Sequence, residues 1–323
     1  MQNGTLKLTN RALCWLDRAW FPEVAPWRLA VVRILTGSYI LYYLSTRFTM
    51  LMCSASADAS FFEPVGWARI LSAPLPPPVY EIILWLTLFV NLAFVLGFGY
   101  RLTGPLFSLL LLFVMSYKNS WSTIHHSHNL LVMHVFVLGF VRAADSLSVD
   151  RTVEWLAAKF EMICETAVHE VHSRYGWPIQ LLCGVTVATY FLAGVAKVLG
   201  PLGWGWACGE AVRSQLAIDG LRKELLGDGA SPLFVGLYQH LWFFGAMGVG
   251  TLILEFGAPF ALLFRSTRWI WTFSMFAVHW CIFYLMEIKF RYQLAGIAFV
   301  PLLICYLPPW LTIPGLRRTF LRT

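Results

Sequence analysis

Charged side chains are scarce in this sequence, because Asp, Glu, Lys and Arg make up only 13% of its 323 residues. Soluble domains carry about 25% charged residues, so the composition excludes an ordinary soluble globule. Hydrophobic residues account for 58% of the chain, and the mean hydropathy is +0.65. The composition therefore indicates a membrane protein that crosses the bilayer several times.

Cysteine motifs are also missing. The seven cysteines include no CxxC pair, and several lie inside apolar runs. This pattern excludes a disulfide scaffold and is typical of cysteines that act as small hydrophobic residues. No metal-ligand spacing emerges, and we predict no metal.

The net charge of +7 does not indicate a nucleic-acid partner. The Lys and Arg residues lie mostly between apolar spans, which is how membrane proteins anchor their loops. We therefore predict membrane lipids as partners and no nucleic acid.

The apolar stretches predict an all-α fold, a polytopic membrane helical bundle, because barrel strands are short and alternate apolar with polar residues. We expect one transmembrane domain over residues 1–323, with no large extramembrane domain. About eight transmembrane helices are predicted, with cores at Leu29–Ser45, Ile82–Phe98, Leu102–Ser116, Leu130–Val141, Ile179–Leu199, Leu241–Phe264, Trp269–Met286 and Leu294–Leu307.

The positive residues predict the orientation. Fourteen Lys and Arg fall on the side of the two termini and eight on the opposite side. The positive-inside rule then places both termini in the cytoplasm of a cell-membrane protein. Two connecting segments, Thr152–His172 and Glu210–Leu226, carry apolar residues at three- and four-residue steps. They are interpreted as interfacial amphipathic helices or as short surface helices packed on loops.

Lys197 is the most informative polar residue, because it follows the apolar run Ile179–Ala196 near the predicted outer end of the fifth span. Burial disfavours the charged form of an amine, so a desolvated lysine there could act as a base. The alternative is a lysine that extends to the interface.

A histidine cluster begins the fourth predicted span at the same outer level. His125, His126 and His128 are followed by Asn129. A histidine there could shuttle protons or hydrogen-bond a polar headgroup. The alternatives are interfacial histidines or an adventitious metal site.

Deeper polar groups lie at Arg33, Glu255 and His279, and Glu287 lies near the outer level. Charges at membrane depth usually pair with one another. Arg33 and Glu255 either form such a pair or take part in binding a ligand. The fifteen Trp, twelve Tyr and twenty-five Phe residues suit an outward-opening pocket for a flat or isoprenoid-tailed ligand, or else pack against lipid.

Five stretches resemble one family when taken together. Their order and spacing are similar to those of the vitamin K-dependent γ-carboxylase superfamily, also called the horizontally transferred transmembrane (HTTM) family. The stretches are LAVVRILTG at Leu29–Gly37, SWSTIHHSHNLLVMHVFVL at Ser120–Leu138, YFLAGVAKVLGPLGWGWACGEAVRSQLA at Tyr190–Ala217, LEFGAPFALLF at Leu254–Phe264, and VHWCIFYL to RYQLAGIAFVPLL within Val278–Leu303.

The resemblance implies an enzyme that uses a vitamin K-type hydroquinone with O2 and CO2. The family's proposed base matches Lys197, its helix-start histidine matches His126, and a later histidine matches His279. The remaining residues predicted to bind substrate or cofactor are His125, His128, Asn129, Tyr190, Glu255 and Glu287.

The sequence also departs from the family pattern. Ala196 replaces a second lysine, and His125 replaces an asparagine. The expected lack of a lumenal domain weighs against a peptide substrate. We therefore expect lysine-base chemistry on a quinol or isoprenoid lipid at the outer leaflet, and peptide-glutamate carboxylation with a peptide substrate stays open as a less favoured reaction. The alternatives are an enzyme that rearranges or cyclises isoprenoid lipids, and a non-catalytic binder or transporter.

Overall fold

The computed structural model describes residues 19–121, 124, 126–160, 171–227, 229–305 and 307. The regular secondary structure of these residues is helical, and the β-structure among them is one isolated bridge between Val24 and His172. The all-α prediction is therefore confirmed for this part of the chain. The main helices are α1 (Pro26–Ala55), α2 (Pro77–Leu96), α3 (Tyr100–Asn119), α4 (Asn129–Gly139), α5 (Val149–Phe160), α6 (Ser173–Leu199), α7 (Glu210–Leu226), α8 (Pro232–Leu237), α9 (Leu241–Gly257), α10 (Phe260–Leu263), α11 (Arg265–Met286), α12 (Arg291–Leu294) and α13 (Val300–Ile304).

Five of these helices are long and apolar enough to cross a membrane. They are α1, α2, α3, α6 and α11, with 20 to 30 residues each. At 1.5 Å per residue, 20 residues span about 30 Å, the thickness of the hydrocarbon core. These helices coincide with five of the predicted spans and make the chain a multi-pass membrane protein.

The other three predicted spans are shorter or interrupted helices. Helix α4 has 11 residues, and α9 has 17 before Pro259 and the short α10 follow. The segment predicted as Leu294–Leu307 is broken at Gly296, whose φ of 74° is left-handed, so α12 and α13 are separate. Eleven helical residues rise only about 16 Å, roughly half of a bilayer core. Eight complete membrane helices are therefore not present in the described residues.

The chain divides into two compact units within α6. Unit 1 comprises residues 1–182 and 304–323, and unit 2 comprises residues 183–303. Unit 1 contains α1 to α5. Helices α3 and α4 approach closely at Gly104, where an added Cβ would lie 2.7 Å from the Gly139 carbonyl oxygen. The Ser108 hydroxyl donates to the Val135 carbonyl at 2.9 Å across the same contact, as small and polar residues do between membrane helices.

Two buried arginines of α1 bind backbone carbonyls of unit 1. Arg33 donates to Ala143 at 3.0 Å and to Leu147 at 2.5 Å, and Arg28 donates to Leu307 at 2.7 Å. The interpretation that pairs Arg33 with Glu255 is therefore wrong, because each residue has a different partner within its own unit. Ala143 and Leu147 lie in the connection between α4 and α5, and Leu307 follows α13, so their carbonyl groups lie outside helices and accept these charged donors.

Unit 2 contains an apolar core at the start of α7. Val212 and Leu216 of α7 are buried with Phe234, Phe244 and Leu285. Further along α7, Leu221 and Leu225 are exposed. The predicted apolar stripe of Glu210–Leu226 is thus divided, since its first half packs inside the unit and only its second half is open.

The other predicted amphipathic helix is partly described. Helix α5 covers Val149–Phe160, and residues 161–170 lie outside the described residues. The apolar side chains of Val153 and Leu156 are exposed, as a helix lying on a membrane requires. Its interfacial location stays a prediction.

Candidate functional site

One face of α6 carries the candidate site of unit 2. Tyr190, Gly194 and Lys197 follow one another at steps of four and three residues, so they lie on the same side of the helix. A Cβ added at Gly194 would lie 2.9 Å from the Cβ of Glu255 on α9. The glycine therefore lets α9 approach α6 at the height where the two charged residues meet.

Lys197 and Glu255 form an ion pair. The Lys197 amine donates to Oε1 of Glu255, and the two side chains are 25% and 6% exposed. The second carboxylate oxygen, Oε2, is buried and has no hydrogen-bond partner among the described residues. A buried polar atom left open in this way is able to accept a proton or a ligand hydroxyl.

An aromatic ring borders the Lys197 amine. The Nζ atom lies 5.8 Å from the centre of the Trp206 ring, within the range of a cation–π contact. Trp206 belongs to the 3-10 helix Gly203–Cys208, which packs on α9 near Gly248. The amine is thus held between a carboxylate and an indole.

A second polar pair lies on the same face of α6. The Tyr190 hydroxyl and Nε2 of His279 are 3.3 Å apart, and both residues are buried. Nδ1 of His279 lies 2.8 Å from the Met275 carbonyl oxygen. A carbonyl can only accept, so Nδ1 carries the proton, and in the neutral ring Nε2 accepts from Tyr190.

Aromatic rings surround the Tyr190–His279 pair. The Tyr190 ring centre lies 5.3 Å from that of Trp271 and 6.2 Å from that of Phe299. His279 contacts Phe290 edge-to-face at 5.4 Å. The Trp271 indole N–H donates to the Leu254 carbonyl at 2.8 Å, so it is fixed next to Glu255. These rings pack around the pair, and an aromatic pocket for a ligand stays a prediction.

Glu287 lies apart from these two pairs, at the end of α11. Its φ of 54° is left-handed, a conformation that a non-glycine residue rarely adopts. It lines a cleft of about 410 Å³ together with Lys223, Phe283 and Lys289. Lys223 already pairs with Asp219 at 2.9 Å and donates to the Met286 carbonyl, so it is engaged within unit 2.

The histidines predicted for the site belong to unit 1. His126 and His128 form a short 3-10 helix, and Asn129 begins α4. His126 is exposed, and the His128 ring lies 5.0 Å from the Tyr43 ring. His125 lies outside the described residues.

The structure brings four of the predicted residues into one region of unit 2. Lys197 pairs with Glu255, and Tyr190 pairs with His279. The pairing of Lys197 with His126 stays a prediction, because these two residues belong to different units. Trp206 and Trp271 were missed individually, although the tryptophans after Lys197 are part of the pattern that carries the family resemblance.

The arrangement can move a proton between two groups. An ammonium next to a carboxylate exchanges its proton more readily when water is excluded, because the charged pair loses its solvation. The open Oε2 of Glu255 offers a second site for that proton. The pair can therefore present an amine to a ligand.

Comparison with known proteins gives one family. The family model described as the HTTM domain matches residues 21–305. No curated protein and no solved structure matches the chain.

Proposed function

The chain belongs to the HTTM domain family, the domain found in vitamin K-dependent γ-carboxylase, and from this premise we propose that it is a membrane-embedded enzyme. Its substrate is a quinol or another isoprenoid-tailed lipid, and its base is Lys197. The observation that carries the proposal is the Lys197–Glu255 pair, with one carboxylate oxygen left open.

The paired lysine becomes a base in two proton transfers. First, the Lys197 ammonium gives a proton to Glu255, which leaves a neutral amine and a neutral acid. The amine then accepts the proton of a phenolic hydroxyl, which leaves an ammonium and a phenolate. Positioned proton transfer of this kind contributes about 10²–10⁴-fold to a rate.

The residues present fit a hydroquinone. Oε2 of Glu255 is a buried acceptor for a phenolic O–H, and the Trp206 ring lies next to the Lys197 amine. When bound, a vitamin K-type hydroquinone with O2 supplies the oxidative chemistry of the family's carboxylase, and CO2 is the group fixed there. His126 is proposed as a further proton partner of Lys197, and His125, His128 and Asn129 as residues near the headgroup.

The proposed membrane arrangement follows the sequence prediction. The chain crosses the membrane about eight times if α4, the α9–α10 region and the segment after α12 enter the bilayer together with the five long helices. Both termini are then cytoplasmic, and the site faces the outer side of the cell membrane.

The test is turnover by the purified protein in nanodiscs. Reduced vitamin K1 is added with O2, oxygen uptake is recorded, and the lipid is analysed by mass spectrometry. One hydroquinone and one O2 give one epoxide and one water. Wild type is expected to form epoxide, and Lys197→Met to lose about 100-fold or more of that rate.

Lys197→Arg is the sharper variant. Arginine keeps a positive charge next to Glu255, yet it does not lose its proton in proteins. We expect this variant to fold and to stay inactive. Arg222→Met removes an exposed cation of the same unit and is expected to keep wild-type turnover.

Each other outcome points to a different function. Turnover retained in both Lys197 variants contradicts the proposed base. A lipid that changes without oxygen uptake indicates rearrangement or cyclisation, and a lipid that binds unchanged indicates a binder or transporter. Labelled CO2 incorporated into a glutamate peptide in the same assay indicates full carboxylation.

A further inference from the structure

A charged cleft lies in unit 1 and shares no lining residue with the site described above. Its volume is about 360 Å³, and it opens where the first turns of α3, α5 and α6 meet the end of α4. Pro105, Phe140 and Val141 form an apolar part of its wall. Four arginines and three carboxylates also line it: Arg101, Arg142, Arg151, Arg174, Asp145, Asp150 and Glu154.

The three carboxylates are already engaged. Asp150 accepts from the backbone N–H groups of Gly99 and Tyr100 at 2.7 and 2.8 Å. Asp145 pairs with Arg142 at 2.9 Å, and Glu154 pairs with Arg151 at 3.3 Å. Four arginines and three carboxylates together give the cleft a net charge of +1.

Arg101 and Arg174 are the two arginines of the cleft outside these ion pairs. Within the described part of the chain, neither forms an ion pair. Arg174 lies over the Tyr175 ring at 4.8 Å, and its Nε atom is buried and makes no hydrogen bond to any described residue. A guanidinium with an open N–H is suited to the oxygens of a phosphate.

An exposed apolar surface continues from the cleft. The rings of Phe136 and Phe140 are 4.9 Å apart, and both are exposed, as is Leu102 on α3. Such a surface on a membrane helix is suited to acyl chains. The predicted orientation also places all four arginines on the cytoplasmic side, where anionic lipids attract basic residues.

We propose that this cleft binds the phosphate headgroup of an anionic phospholipid, through Arg101 and Arg174. The ligand lies with its acyl chains along Leu102, Phe136 and Phe140. The inference does not depend on the proposed enzyme activity, since none of these residues contributes to the site on α6.

The experiment measures lipid binding to the purified full-length protein by native mass spectrometry. Short-chain phosphatidylglycerol is compared with phosphatidylcholine of the same chains, for wild type, Arg101→Gln and Arg101→Gln/Arg174→Gln. We expect wild type to prefer phosphatidylglycerol. Arg101→Gln is expected to bind it about tenfold more weakly, and the double variant more weakly again.

The control is Arg69→Gln, because Arg69 is also an exposed arginine of unit 1 and does not line the cleft. It is expected to bind phosphatidylglycerol as wild type does. Arg101 is exposed, so its substitution is expected to leave folding intact even where the double variant does not fold.

A second experiment distinguishes a site for a lipid headgroup from a site for free phosphate. Inorganic phosphate that displaces phosphatidylglycerol assigns the site to phosphate in either form, and failure to displace it assigns the site to the lipid. Equal binding of both lipids to wild type, or unchanged phosphatidylglycerol binding in Arg101→Gln, overturns the proposal.

Discussion

Changing either Lys197 or Glu255 alone is expected to lower the stability of the folded protein. Glu255 is almost fully buried and already has one open oxygen, so loss of the lysine leaves a buried carboxylate with no donor. Leaving a buried polar group unsatisfied costs about 1–3 kcal/mol, and more when it is charged. The two residues are therefore expected to depend on each other for stability.

A double-mutant cycle tests this coupling. We expect Lys197→Met and Glu255→Leu each to lower the thermal stability of the protein in detergent. The double variant is expected to be more stable than the sum of the single effects implies, with a coupling of about 1–3 kcal/mol. Thermal unfolding of all four proteins in one detergent measures the coupling. Additive effects would show that the two residues do not interact.

The partners of the charged residues could be predicted only in part. The sequence identified Lys197, Glu255 and Arg33 as polar groups in apolar surroundings, because their flanks are apolar. It did not give their partners, since the distance between two helices is not encoded in either one. Arg33 binds carbonyl groups, and a backbone carbonyl leaves no signal in a sequence.

At the scale of elements, the close contact of α6 with α9 depends on Gly194, which has no side chain. A Cβ at Gly194 would lie 2.9 Å from the Cβ of Glu255, closer than ordinary van der Waals contact. The two helices would then have to separate. That separation would lengthen the distance between the Lys197 amine and the carboxylate.

Gly194→Ala is expected to destabilise the protein by about 1–3 kcal/mol, as overpacking does. We also expect it to reduce any activity that depends on Lys197. The matched control is Gly250→Ala on α9, where an added Cβ meets no atom within 4 Å. Thermal unfolding of both variants checks this, and a Gly194→Ala protein as stable as wild type would contradict the close approach.

Helix length explains why some elements were predicted well and others were not. The long apolar runs without an internal break were predicted as membrane spans, and they form the long helices α1, α2, α3, α6 and α11. The last predicted span contains Gly296 and Pro301, and the helix breaks at the glycine. Apolar composition alone does not distinguish a continuous membrane helix from short helices separated by a turn.

At the scale of the whole molecule, family membership follows from the order of the motifs along most of the chain. The division into two units does not follow from the sequence, because it falls inside the continuous helix α6. The single domain over residues 1–323 and the orientation in the membrane stay predictions.

Cysteine labelling tests the orientation. In a variant without native cysteines, Ala57→Cys lies after α1 on the predicted outer side, and Ser146→Cys lies between α4 and α5 on the predicted inner side. A membrane-impermeant maleimide is expected to label residue 57 in intact cells. Residue 146 is expected to react only after permeabilisation. The reverse pattern would place the termini outside.

The hydrogen bond from His279 to the Met275 carbonyl leaves the imidazole only one nitrogen, Nε2, that can take up a proton. Nδ1 is committed to the helix backbone, so any proton gained by the ring arrives at Nε2. A proton on Nε2 would turn this nitrogen from a hydrogen-bond acceptor into a donor. The hydrogen bond would then run from His279 to the Tyr190 oxygen. The tyrosine hydroxyl would then be free to point its hydrogen elsewhere in the aromatic enclosure, so one protonation event would reorient two side chains.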